Sequence, residues 1–196
     1  MNVIAFRSRR RAALPLTVFL AFGLPALLPI AAIAQEKALT PEKNPPGDIP
    51  DSQVFVVYRL PQGLSLKVPE GWARKNQTDG VSFADKYGEI AVALRPGPAP
   101  TLANVRANDA GELEKGGRAV KISAVTEVAL PAGPAVRIVY TENSQANPVT
   151  GKQIRLESER FLIGHAGNVA SVTFSAPAGA DNADQWKLMS DSLAWK

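Results

Sequence analysis

The chain predicts an α+β fold: an antiparallel sheet of about seven strands with two helices. Three observations carry this. Apolar and polar residues alternate in several short runs, the period of a half-buried strand. Those runs are joined by short segments rich in Gly, Pro and Asn, which reverse the chain and pair neighbouring strands antiparallel. Helical spacing of apolar residues occurs in only two stretches, one mid-chain and one at the C-terminus.

At 196 residues the chain is one domain's worth, with length enough for a core. Arg7, Arg9, Arg10 and Arg11 precede an apolar run from Ala12 to Ile33, and Ala32-Ile33-Ala34 is an A-x-A signal. Residues 1–34 therefore read as a signal peptide cleaved between Ala34 and Gln35, giving a periplasmic or secreted protein. Pro15, Pro25 and Pro29 interrupt the run and argue against a retained anchor, and Ala12 and Ala13 after Ser8-Arg9-Arg10-Arg11 favour the general secretory route over twin-arginine export. Taking the four arginines from the 22 basic residues leaves 18 against 18 acidic ones, so the remainder is formally neutral. A phosphate-binding surface for nucleic acid loses its main support. The chain has no cysteine, which excludes disulfides, thiol catalysis and lipidation at the cleavage point.

Residues 35–52 are polar and proline-rich and read as a flexible linker. Residues 53–196 form the single domain. Val54 to Tyr58 reads as a strand or docking segment, and Leu64, Leu66 and Val68 alternate inward in the next strand. Pro69-Glu70-Gly71-Trp72 closes that strand, with Trp72 covering an open end of the core rather than serving as a ligand platform. Asn76 to Gly80 is a turn, and Val81–Asp85 and Ile90–Leu94 pair as a hairpin. After Pro96-Gly97-Pro98-Ala99-Pro100, Thr101 caps a helix that runs to about Lys115 and ends at Gly116-Gly117; Arg106 intrudes on its apolar face. Val120–Leu130 and Ala135–Tyr140 form a long hairpin, Val125 breaking the alternation. Residues 141–151 read as a mobile polar loop.

The most informative stretch is Lys152 to Pro177, a strand, a turn at Gly164-His165-Ala166-Gly167-Asn168 and a second strand with Ala170, Val172, Phe174 and Ala176 on one face. In its first arm the step from Leu156 to Phe161 is odd, which a bulge or a twist near Ser158 to Arg160 would reconcile. Asp181 then caps a final helix in which Ala183, Trp186, Met189 and Leu193 share a face that buries Trp186.

Catalytic and binding groups are sparse. There is no Gly-x-Ser-x-Gly, and the one histidine, His165, falls in a turn and reads as exposed. A lone histidine builds no zinc site. Asp79, Asp85 and Glu89 lack calcium-loop spacing and read as a solvated turn. Glu157 and Glu159, flanked by Arg155 and Arg160, read as cross-strand pairing and edge protection. Gly116-Gly117 ends a helix, so no phosphate loop is present. No catalytic, cofactor or metal residue is assigned, and no cofactor is expected.

The segment Leu64-Ser65-Leu66-Lys67-Val68-Pro69-Glu70-Gly71-Trp72, then Val81-Ser82-Phe83-Ala84-Asp85, the long middle hairpin and the closing strand, Ala-Pro and amphipathic helix resemble the PsbP-like superfamily of Mog, PsbP and DcrB type. The resemblance spans residues 54–196 and is to a bacterial exported member; Gln35 stands where lipoprotein relatives carry a lipidated cysteine. It implies a sheet with helices on both faces, an α/β/α sandwich, and a binding or assembly role without a shared catalytic set. The expectation is an exported, monomeric, non-catalytic module that contacts another envelope or membrane protein, with no nucleic acid and membrane contact only through the signal peptide. The alternative is a small-ligand or metal carrier using the concave side of the sheet near Trp72 and the 141–151 loop.

Overall fold

In the computed structural model the described residues are 36–196, and the predicted signal peptide with its Ala34–Gln35 cleavage point lies outside them. The backbone of the fold is a seven-stranded antiparallel sheet in the order β3-β4-β5-β9-β8-β7-β6, joined by a second, three-stranded sheet in the order β1-β2-β10. In chain order these are β1 (Phe55–Arg59), β2 (Leu64–Pro69), β3 (Ala73–Gln77), β4 (Gly80–Ala84), β5 (Glu89–Pro96), β6 (Lys121–Leu130), β7 (Gly133–Asn143), β8 (Arg155–His165), β9 (Asn168–Pro177) and β10 (Ala194–Trp195). The expected α+β class and the helices on both faces are present, with one refinement. β2 leaves the large sheet and, with β1, β10 and helix α3 (Ala183–Ser190), covers one face of it.

The main core lies between these two layers. Leu64, Leu66 and Val68 of β2 meet Val81, Phe83, Ile90, Val92, Phe161, Ile163, Val172 and Phe174 of the large sheet, with Trp186 and Met189 of α3 closing it. Phe174 packs against both Phe161 and Trp186 at centroid separations of 5.9 and 6.1 Å. Trp72 is half-buried against this core, as its position at the strand end predicts, and a side chain on Gly88 would strike its ring.

A smaller cluster fills the opposite face. A helical rod of α1 (Leu102–Asn104), a π turn (Val105–Asp109) and α2 (Ala110–Lys115) lays Leu102, Val105 and Leu113 over Val136, Ile138, Tyr140 and Leu162. Thr101 caps it through Asn104 N–H, and Gly117 leaves it at φ +82°. Arg106 is accommodated by donating to the Val125 carbonyl. In β6 the register slips between Ile122 and Ala124, so Ile122 and Val125 both face the rod while Val128 and Leu130 face the main core. The broken alternation at Val125 is therefore a bulge.

Four expectations need correction. The bulge expected near Ser158 to Arg160 is absent: β8 pairs in unbroken register with β7 and β9, and the odd step arises because both faces of this central strand are covered. Residues 73–77 form the edge strand β3, although all five are exposed and give no alternation. Asn182, not Asp181, stands at the start of α3, and its side chain caps nothing there.

The fourth concerns the linker. Residues 36–52 dock on the domain: Leu39 N–H donates to Asn143 Oδ1 at 3.0 Å, Ile49 N–H donates to Asn182 Oδ1 at 2.7 Å, and Asn182 Nδ2 donates to the Gly47 carbonyl. Ile49 enters the main core. Proline-rich composition denies this strap regular structure but leaves its remaining N–H groups free for such side-chain acceptors.

Candidate functional site

Two surfaces are candidates for a functional site. The first is β1. It has one neighbour, β2, and its outer side is an open edge. Leu60 N–H bonds the Leu64 carbonyl and Glu70 N–H bonds the Val54 carbonyl, so residues 54 to 60 at even positions face β2. By antiparallel alternation Phe55, Val57 and Arg59 turn their backbone N–H and C=O groups outward. Edge strands are ordinarily guarded by charge, as Arg74 and Lys75 guard β3. On β1 and the residue before it the exposed apolar side chains are Val54, Val56 and Val57, 57%, 42% and 56% exposed, and the one charge is the exposed Arg59 at the strand's end. Beside them runs a groove of about 420 Å³ floored by Tyr58 and Phe83 in edge-to-face contact and walled by Trp72 and Arg74. Composition marked 54–58 as strand or docking segment; that it is an edge among the described residues emerges only from the sheet order.

The second surface is a polar cleft on the helix-side face of the large sheet. The rod covers only the β6–β8 half of that face. Over β4, β5 and β9 the facing residues are small or polar, including Ser82, Ala91 and Thr173, and they leave a cavity of about 920 Å³. A second cavity of about 660 Å³ lies under the rod, and Arg118, Glu142 and Arg160 line both. The π turn borders it with Val105, Asn108 and Asp109; such turns widen a helix and recur at functional sites.

The charges expected in mixed pairing separate here. Glu159 pairs with Arg137 of β7, with Arg137 Nε donating to Oε2 at 2.9 Å. Glu157 accepts from Gly179 N–H. Arg155 is buried and donates to Asn143 Oδ1, Thr141 Oγ1 and the Ala119 carbonyl. Because β8 is central, edge protection does not apply to this run. Glu142 forms an ion pair with Arg118. Together with Asn143, Glu142 lies in β7, so the mobile loop expected over 141–151 begins only after residue 143.

Burial pushes the Glu142 carboxyl up from its ordinary value, against the lowering pull of Arg118, Arg160 and Arg155. Burial likewise raises Glu157 against the Gly179 bond. The folded state thus holds these protons more tightly than the unfolded chain. Their stabilising contribution is full below the ordinary carboxyl range and is lost as pH rises through the raised folded values. Relative to wild type, the double variant Glu142→Gln/Glu157→Gln should gain stability as urea titrations move from about pH 4 to about pH 7. A pH-independent difference between the two proteins would contradict this.

The remaining sequence candidates are dispersed. Asp85 Oδ1 accepts from Tyr87 and Gly88 N–H and so builds the β4–β5 turn, while the Asp79 carbonyl holds Leu94 N–H. Glu89 is exposed at the cleft rim. His165 is exposed and stacks on Trp195 at 5.2 Å. Trp72 and the 144–152 loop lie on opposite faces of the sheet and form no common site. Among the described residues no three His, Cys, Asp or Glu side chains converge as metal ligands, and no helix is long and apolar enough to cross a membrane.

An antiparallel sheet sandwiched between a helical rod and a small sheet with a C-terminal helix defines an α+β scaffold, with one sheet edge unpaired among the described residues and one polar cleft. The fold is the PsbP-like one. No family model and no curated protein matches the chain. Among solved structures it is similar to cyanobacterial PsbP (CyanoP) from Synechocystis, with TM-score 0.54 and 13% identity over 76% of this chain and 98% of that one. It also matches a Bacteroides thetaiotaomicron protein (TM-score 0.49, 13% identity, 71% of this chain), of whose length the alignment covers 48%. A third match is Mycobacterium tuberculosis LpqN, involved in cell envelope biogenesis (TM-score 0.46, 16% identity, 74% of this chain and 91% of that one).

Proposed function

We propose that this protein is an exported, non-catalytic binding module of the periplasm or secreted space. It assists assembly or stability of an envelope or membrane complex by holding an extended apolar segment of another protein along β1. The observation that carries this reading is the edge of β1, unpaired among the described residues and apolar up to Arg59, beside the Tyr58–Phe83 groove. Outward N–H and C=O groups at alternate residues are complemented along their length only by another extended backbone, and flanking valines and aromatics supply pockets for its side chains. The formal charge balance of residues 35–196 fits recognition by backbone and apolar contact rather than by long-range charge.

A photo-crosslinking residue placed at Val57 should capture a defined partner in the host envelope, and one at exposed Lys187 of α3 should not. Introducing Val57→Lys alongside a crosslinker at Val54 should reduce capture by about tenfold, because a buried lysine in the augmented edge is costly. Since Val57 is exposed, the unfolding midpoint of that variant should stay at the wild-type value. Equal capture from Val57 and Lys187, or capture indifferent to Val57→Lys, would overturn the reading.

A further inference from the structure

We infer that the polar cleft binds a small oxyanion, a carboxylate or phosphate group, on the guanidinium of Arg160. This is independent of the β1 reading, since the two surfaces lie on different sheets. Arg160 rises from the middle of β8, and opposite it across β9 and β5 stand Thr173 and Ala91, with Ser82 beyond. Its Nε donates to Thr173 Oγ1 at 3.0 Å, and Nη2 reaches the buried Tyr140 hydroxyl at 3.5 Å. Thr173 thus orients one edge of the guanidinium, whose carbon lies 5.8 Å from the Tyr140 ring centre, and neither contact neutralises it. Nη1 has no acceptor among the described residues, and no described carboxylate lies within ion-pair distance of Arg160.

The surrounding charge favours the same occupant. Of the charges lining both cavities, Arg118 and Arg160 flank the buried carboxylate of Glu142, which is already paired with Arg118, and Glu89 stands exposed at the rim. At the other end of the cleft, Asp85 is occupied by the turn amides. A half-buried guanidinium held by one edge presents its other N–H groups as a planar fork, the geometry that receives two oxygens of a carboxylate or phosphate. The site is roomy because Ala91 and Ser82 are small where a larger side chain would fill the floor, and Ser82 is buried there with its hydroxyl facing the cavity. Arg160 also stands where the 920 and 660 Å³ cavities meet, so a ligand whose oxyanion rests on it can extend its remaining atoms to either side.

Titration of the purified full chain with inorganic phosphate and, separately, with acetate tests this, read by the Arg160 Nε–Hε resonance and by thermal shift in about 0.15 M salt. The expected result is saturable binding of at least one of the two at a Kd of about 1 mM or tighter. Which anion binds assigns the ligand to phosphates or to carboxylates. Arg160→Lys keeps the charge but loses the fork and should weaken binding about tenfold or more. Thr173→Val, which frees the guanidinium without removing it, should weaken binding by a smaller factor and provides the test should Arg160→Lys fail to fold. No saturable change with either anion, or wild-type affinity in a folded Arg160→Lys or Thr173→Val variant, would overturn the inference.

Discussion

Phe174→Ala is expected to lower the free energy of unfolding by about 3–5 kcal/mol, the range for truncating a fully buried aromatic. Phe174 is completely buried and sits where β9, Phe161 of β8 and Trp186 of α3 meet, so its removal opens a cavity shared by the large sheet and the layer covering it. Collapse of that cavity is resisted because Phe161 is fixed by the β8 ladder and Trp186 by the docking of α3. The loss is a large share of a domain's net stability, about 5–15 kcal/mol. Equilibrium urea denaturation should show it as a lower midpoint at unchanged slope. A loss below about 1.5 kcal/mol would mean that the two layers do not share this core.

Asn143→Ala should cost about 2–4 kcal/mol and release the strap, because one side chain ends several bonds at once. Its Oδ1 accepts from Leu39 N–H and from Arg155 Nη1, and its Nδ2 donates to Glu36 Oε1 and the Lys37 carbonyl. Alanine leaves a buried guanidinium short of an acceptor, which is the expensive part. Hydrogen exchange at the Leu39 amide should accelerate well beyond the change in global stability, since that N–H no longer has an acceptor. If Leu39 exchange followed global unfolding alone, the strap would be held by something other than Asn143.

The α+β class, the hairpins β4–β5, β6–β7 and β8–β9, and the apolar faces of Leu64–Val68 and Ala170–Ala176 were legible because alternation is imprinted wherever one face of a strand is buried. β3 was not, since Ala73-Arg74-Lys75-Asn76-Gln77 buries no side chain and so leaves no imprint. The strap misled for a related reason. Its order comes from Asn143 and Asn182, more than a hundred residues away in sequence, and local composition carries no trace of such partners.

The contact surfaces divide in the same way. For β1 the sequence showed an apolar strand, but whether its valines are a core strand or an edge depends on which strands flank it, and among the described residues β2 alone does. For the charge run around Arg160 the sequence implied cross-strand pairing, and Glu159 does pair across to Arg137 of β7. Adjacent residues on a strand point to opposite faces, so Glu159 meets Arg137 on one side while Arg160 emerges on the other. By itself, then, the sequence determined the strand periods, the helix at the C-terminus, the freedom from thiol chemistry and the expectation of export, all of which are local or compositional. Only the tertiary structure decided that β2 departs into a second sheet, that the proline-rich segment is bound, and that Arg160 stands in a cleft without a carboxylate partner among the described residues. Each of these depends on which distant groups a side chain or an edge meets, and that is set by burial and hydrogen bonding across the whole fold rather than along the chain.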